Sequence, residues 1–192
     1  YLYYSKHLHI LIAFPNTYYA NLNTKGKFGI DKNITKEVKL MLGIGDSNNQ
    51  NNKVPDKFGA SDVFDLNWVQ LMNSYSCTEC GRCTSVCPAN LTGKILSPRK
   101  IMMDTRDRLE EVGSNIFKNK GKFVSDNKQL LNNYITKEEL WACTSCNACV
   151  EACPIEIDPL SIIMDMRKYL VMEKSEAPVD INNMMSNIEN NG

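Results

Sequence analysis

The stretch CTECGRCTSVCP at residues 77–88 places three cysteines three residues apart, a fourth four residues later, and a proline directly after it. Thiols at i, i+3 and i+6 on one short loop are spaced to hold metal rather than to tie distant parts of a chain together. The chain has eight cysteines, and all fall in two such runs: Cys77, Cys80, Cys83 and Cys87, then Cys143, Cys146, Cys149 and Cys153. A secreted disulfide framework scatters its cysteines instead. Metal-binding thiolates need a reducing compartment, so this part of the chain is expected in the cytoplasm.

The second run copies the first. CTECGRCTSVCP aligns without a gap with CTSCNACVEACP at 143–154, and SPRKIMMDTR at 97–106 aligns with DPLSIIMDMR at 158–167. The offset is 66 for the cysteines and 61 for the later segments, so the first copy carries five extra residues, within ANLTGKILS. The duplicated unit is a metal loop followed by a helix. Ser97 and Asp158 suit the N-cap of that helix. Pro98 and Pro159 suit its first position, where a missing N–H costs nothing.

In the first copy Ile101, Leu109 and Val112 form a stripe at helical spacing, and Gly113 is a natural stop. Asp104–Arg108 and Arg106–Glu110 are expected as i,i+4 pairs on the solvent side. In the second copy Ile162, Met166 and Tyr169 face one way and Leu160, Ile163 and Leu170 another, which predicts deeper burial. Helices also lead into the loops. Thr136 with Glu139 is a capping box opening TKEELWAC, and Ser61 is expected to cap a helix through DLNWVQLMNSY. Alternating β patterning is scarce.

Structural zinc takes four ligands in a tetrahedron, usually from two separated cysteine pairs. Three cysteines at i, i+3 and i+6 with a fourth before proline are instead the signature of a cubane [4Fe–4S] cluster. In two-cluster ferredoxins the fourth cysteine of each run ligates the other run's cluster. Applied here, that rule predicts one cluster on Cys77, Cys80, Cys83 and Cys153, and a second on Cys143, Cys146, Cys149 and Cys87. Cys80 and Cys146 are both present, so two four-iron clusters are expected rather than a three-iron one.

From Cys87 to Cys143 is 56 residues, room for at least two helices, where a compact β-rich ferredoxin uses a short link. On its cysteine runs and this helical spacing the chain resembles α-helical ferredoxins, over roughly residues 61–175. It is similar to the C subunit of heterodisulfide reductase and to the iron–sulfur subunits of anaerobic glycerol-3-phosphate dehydrogenase and succinate dehydrogenase. Neither run has lost a ligand, so the heterodisulfide reductase branch is the better match. The resemblance implies a mainly α fold, redox partner proteins that include a Cys-rich catalytic subunit, and a cytochrome b-like membrane domain. That domain, absent from this chain, is where a haem b would lie.

The remaining segments divide around this domain. Residues 1–14 read as an interfacial segment at the end of an upstream membrane region. Tyr1, Tyr3, Tyr4 and Lys6 resemble an aromatic and basic collar, and LHILIAF is too short to span a bilayer. The alternative is an apolar segment packed on the ferredoxin core. The first residue is not Met, so the chain reads as a piece of something longer, on the cytoplasmic face of a prokaryotic inner membrane and itself soluble. Residues 15–60 read as a polar linker holding one amphipathic helix, TKEVKLML, stopped by Gly43, before the Asn-rich stretch at 43–57. Residues 176–192 read as a tail, either a partner-binding helix or frayed. His7 and His9, two apart, do not share a helix face, so one helix cannot aim both at one metal; they read as interfacial polar groups, the alternative being ligation of a haem or a place beside one. Lys94, Arg99 and Lys100 read as a solvated loop, the alternative being a partner-docking patch, and Met102, Met103, Met164 and Met166 read as soft filling beside the clusters rather than as ligands.

Lys and Arg balance Asp and Glu at 22 each, so no net field points to nucleic acid. If the cubanes use every cysteine, no thiol remains for catalysis. No CCG pair or nucleotide-binding Gly-rich loop appears, and no small-molecule substrate is expected. The predicted role is electron transfer between a membrane quinone or haem module and a catalytic partner. The alternative is a soluble ferredoxin subunit of a cytoplasmic complex.

Overall fold

The computed structural model describes residues 7–22, 32–44 and 57–191. The tyrosine and lysine collar at residues 1–6 and most of the Asn-rich stretch lie outside the described residues. Among the described residues there is no strand, only an isolated bridge between Leu131 and Ile135. The fold is two copies of a helical unit, entered by α1 (Leu8–Tyr18) and a separate amphipathic α2 (Lys32–Met41).

The first unit is α3 (Trp68–Ser76), α4 (Arg82–Ser85), α5 (Pro88–Leu91) and α6 (Pro98–Lys118). A kinked turn, α7 (Leu130–Asn133), leads to the second unit: α8 (Lys137–Ala142), α9 (Ala148–Glu151) and α10 (Pro159–Met172). The one-turn α5 has no counterpart in the second unit, and all but its first residue fall in the segment that carries the five extra residues. Matched caps start the matched helices. Ser97 and Asp158 accept from the backbone N–H groups of Lys100 and Ser161, with Pro98 and Pro159 at the next position. The capping box at Thr136 and Glu139 opens α8 as expected. Its counterpart is Asn67 with Gln70, not Ser61. Asp62 caps a 3₁₀ turn, Val63–Asp65, and the chain then restarts as α3, so the predicted single helix is broken in two. Here the acceptor nearest the orphan N–H groups decides the start, and Asp and Asn supply it twice.

α10 packs on α6, α8 and α9, and α4 meets α9, so the two cysteine loops lie side by side. Ile101, Met102, Ile162, Ile163, Met166 and Leu170 are buried at the centre. Two expectations for α6 fail. It runs straight through Gly113, whose surroundings are open, and ends five residues later. A helix-interior glycine costs about 1 kcal/mol against Ala, which is too little to stop a helix by itself. The predicted pairs of α6 are also not the observed ones. Arg108 is fully buried rather than solvent-facing. Its Nε and Nη2 donate to Asp62 at 3.0 and 2.8 Å, Nη2 donates to the Lys128 carbonyl at 2.8 Å, and Asp126 completes the cage. These bonds raise its pKa further, and the same guanidinium pulls the Asp126 carboxyl down to about 2. Asp104 pairs with Lys100, which also reaches Glu139 at 2.8 Å and so ties α6 to α8; Lys100 is no solvated loop residue.

α1 packs chiefly on α3. Asn16 is buried and donates to the Ile155 carbonyl at 2.8 Å, and Tyr19 stacks edge-on against Trp68 with centroids 4.7 Å apart. The apolar segment therefore docks on the core and runs past residue 14 as one helix. Its outer side leaves Ile10, Leu11, Phe14 and Tyr18 exposed. No helix among the described residues is long and apolar enough to cross a membrane. The tail forms α11 (Val179–Asn191), which buries none of its residues.

Candidate metal centre

Each cysteine loop begins where a helix ends. Cys77 and Cys143 are the C-caps of α3 and α8, in extended conformation. Two residues on, Glu79 and Ser145 turn left-handed, with φ of 58° and 56°. For non-glycine residues this conformation costs about 1–3 kcal/mol, and it persists where the surroundings hold it. Its consequence is local: the Ser145 N–H points at the Cys143 sulfur, 3.4 Å away, and the Glu79 backbone opposes the rise of the Cys77 thiol. A second left-handed residue, Gly81 or Asn147, then starts α4 or α9, which carries Cys83 or Cys149.

One cavity of about 130 Å³ gathers Cys77, Cys80 and Cys83 with Cys153 of the second run. Cys149 reaches the same wall, and Met102, Ile155 and Ile157 supply apolar sides. Cys87 is buried within electrostatic reach of Cys143. Each fourth cysteine thus stands near the opposite run. A larger open hollow along α11 contains no cysteine.

Burial pushes the thiols of Cys77, Cys83 and Cys143 up, and Cys149 up to about 12. Neighbouring cysteines add to the rise, while N–H donors at Cys77 and Cys143 oppose it. Such thiols favour their protonated form until a cation sits against them; iron is that cation when a cluster is bound. Among the described residues no three His, Cys, Asp or Glu side chains close on a single ion. The thiolates of a cubane each take a different corner, and the all-sulfur donor set, with the Ser145 N–H aimed at Cys143, fits such a cluster.

Two arginines support the loops, and the repeat already aligned them: SPRKIMMDTR and DPLSIIMDMR both end in Arg. Arg167 donates to the carbonyls of Cys143 at 2.5 Å and Leu140 at 2.6 Å, donates to Ser145 Oγ at 3.2 Å, and lies over the Trp141 ring. Arg106 donates to the Cys77 carbonyl at 3.5 Å and pairs with Glu79, not with Glu110 as expected. His9 lines the cysteine cavity from α1, together with Arg82 and Arg99 from the first unit. Nothing in its local sequence gave that position away. Met102 lines the cavity and Met164 packs beside Cys149, in keeping with soft filling.

Residues 76–157 match the 4Fe-4S dicluster domain, and the helical fold around the two cysteine loops is consistent with an α-helical ferredoxin. The chain is 29% identical, over 98% of its length, to a probable iron–sulfur-binding oxidoreductase FadF of Bacillus subtilis, and covers 28% of that protein. It is 33% identical, over 62% of its length, to a probable membrane-anchored ferredoxin of Chromohalobacter salexigens, covering 20% of it. It is 30% identical, over 71% of its length, to an EtfAB:quinone oxidoreductase of Syntrophomonas wolfei, covering 22% of it. The chain thus spans less than a third of each of these relatives. Proteins like the C subunit of heterodisulfide reductase are also among its relatives. No solved structure matches it. A haem finds no support in these comparisons.

Proposed function

We propose that this chain is an electron-transfer module holding two [4Fe–4S] clusters by crossed ligation, between a membrane quinone module and a heterodisulfide-reductase-like catalytic partner. One set of ligands is Cys77, Cys80, Cys83 and Cys153; the other is Cys143, Cys146, Cys149 and Cys87. The observation that carries the reading is Cys153 lining the cavity of the first run. When bound, the clusters supply one-electron carriers. The chain's own residues position them: Arg106 and Arg167 hold the loop carbonyls, and α1 covers one side. The reading assigns the chain no catalytic site of its own.

The quinone side is supported by the name of the Syntrophomonas relative, and membrane association by that of the Chromohalobacter relative. The exposed face of Ile10, Leu11, Phe14 and Tyr18 gives such a surface a place to meet the chain. Anaerobically prepared protein should hold about eight iron and eight acid-labile sulfide per chain. Cys153→Ala should remove the cluster of Cys77, Cys80 and Cys83, and Cys87→Ala the cluster of Cys143, Cys146 and Cys149. Each deletion is read by EPR against references made by Cys80→Ala and Cys146→Ala, each of which alters the cluster of its own run alone. Loss of the cluster of the mutated cysteine's own run would refute crossed ligation, and bound zinc in iron-replete protein would refute the reading as a whole.

A further inference from the structure

The two units are copies in sequence and backbone but not in charge. Residues 77–106 carry five Lys or Arg against two carboxylates; residues 143–167 carry one Arg against four carboxylates. Three of these differences fall at matched positions beside the cysteines. Arg82, exposed at the start of α4, stands where α9 has Ala148. Arg99, exposed in the first turn of α6, stands where α10 has Leu160. The neutral N-cap Ser97 stands where α10 has Asp158.

Arg82 and Arg99 line the cavity of Cys77, Cys80, Cys83 and Cys153. In the other unit Leu160 packs on Cys149 instead. The largely buried Asp158 carboxylate lies within electrostatic reach of that same cysteine. It accepts from the Ser161 N–H at 2.9 Å, and no Lys or Arg among the described residues is within ion-pair reach of it. The matched arginines of α6 and α10 do not reverse this. Arg106 is neutralised by Glu79. Arg167 has only uncharged partners, so its single positive charge is set against the single negative charge of Asp158. What remains is two cations at the first site and none at the second.

We propose that this asymmetry makes the site of Cys77, Cys80, Cys83 and Cys153 hold an added electron more tightly than the site of Cys143, Cys146, Cys149 and Cys87. The basic unit is then the accepting end of the chain and the acidic unit its donating end. The inference rests on the two-cluster reading above. An added electron is one negative charge, which a nearby cation stabilises and a buried carboxylate opposes. Its redistribution between the sites makes or breaks no bond and moves no proton.

The test is an EPR-monitored redox titration at pH 8 of the anaerobic protein with its clusters, with mediators and dithionite as the reductant. Two variants each install the other unit's residue. Arg99→Leu alters an exposed side chain, and Asp158→Ser keeps a capping oxygen, as Ser97 does. The unaltered protein should show two waves, with the electron favouring the upper by about tenfold or more, which is 59 mV for one electron. Arg99→Leu should lower the upper wave and leave the lower one; Asp158→Ser should raise the lower wave and leave the upper one. Arg82→Ala should act as Arg99→Leu does. A shift of the opposite wave, or no shift in any of the three, overturns the inference. About eight iron with either of those results leaves the two-cluster reading standing; about four iron overturns that reading itself.

Discussion

Replacing Arg108 with Met tests how the first unit is fastened to the rest of the chain. The guanidinium is fully buried and joins α6 to the turn at Asp62 and to residues 126–128. Removing one partner of a buried ionic cage costs about 3–5 kcal/mol, because the partner left behind keeps its charge. Two features favour the lower end. Asp62 retains the N–H groups of Val63 and Leu130, and the Asp126 side chain, 24% exposed, regains water. Met also fills most of the vacated volume. We therefore expect a loss of about 3 kcal/mol, or about 6–12 °C in the melting midpoint at this chain length. Thermal unfolding of the iron-loaded protein would be followed by far-UV circular dichroism under anaerobic conditions at one scan rate, since loss of metal makes the transition irreversible. Asp62→Asn and the double variant complete a cycle, in which the double loss should fall short of the summed single losses by about 1 kcal/mol or more. A shift under about 2 °C for Arg108→Met, or simple additivity with Asp62→Asn, would refute the cage as a fastening.

Further outcomes are open to direct measurement. Gly59→Ala should destabilise by about 2–3 kcal/mol in chemical unfolding, because its φ is +74° and a Cβ there would collide with the backbone of Asp165 and Tyr169 on α10. Arg167→Lys should lose its cluster to an iron chelator faster than the unaltered protein, followed as bleaching near 400 nm. An ammonium cannot span the Leu140 and Cys143 carbonyls and the Ser145 hydroxyl as the planar fork does. Ile10→Ser with Phe14→Ser should weaken binding to lipid vesicles in a flotation assay without changing iron content, since both residues lie on the exposed side of α1.

Much of this protein follows from short-range sequence alone. Two spaced cysteine runs, a proline after each, and an N-cap followed by proline recur at fixed offsets, and each is a device that works within a few residues. The loops and the helices α6, α8 and α10 were legible for that reason. The side chains that act across the fold were not. Arg108 read as a solvent-side partner of Asp104 because the i,i+4 rule presumes an exposed face; burial gave it Asp62 and Asp126, 46 and 18 residues away. His9 reaches the cysteine cavity only because α1 packs on α3, a contact between segments about 50 residues apart in the chain. Arg106 and Arg167 lie between these cases. Their register stood in the repeat, but what they hold depended on the long helices folding back over their own cysteine loops. Local periodicity and capping are encoded where they act, whereas which charge meets which carbonyl is decided only when packing removes the alternative of water.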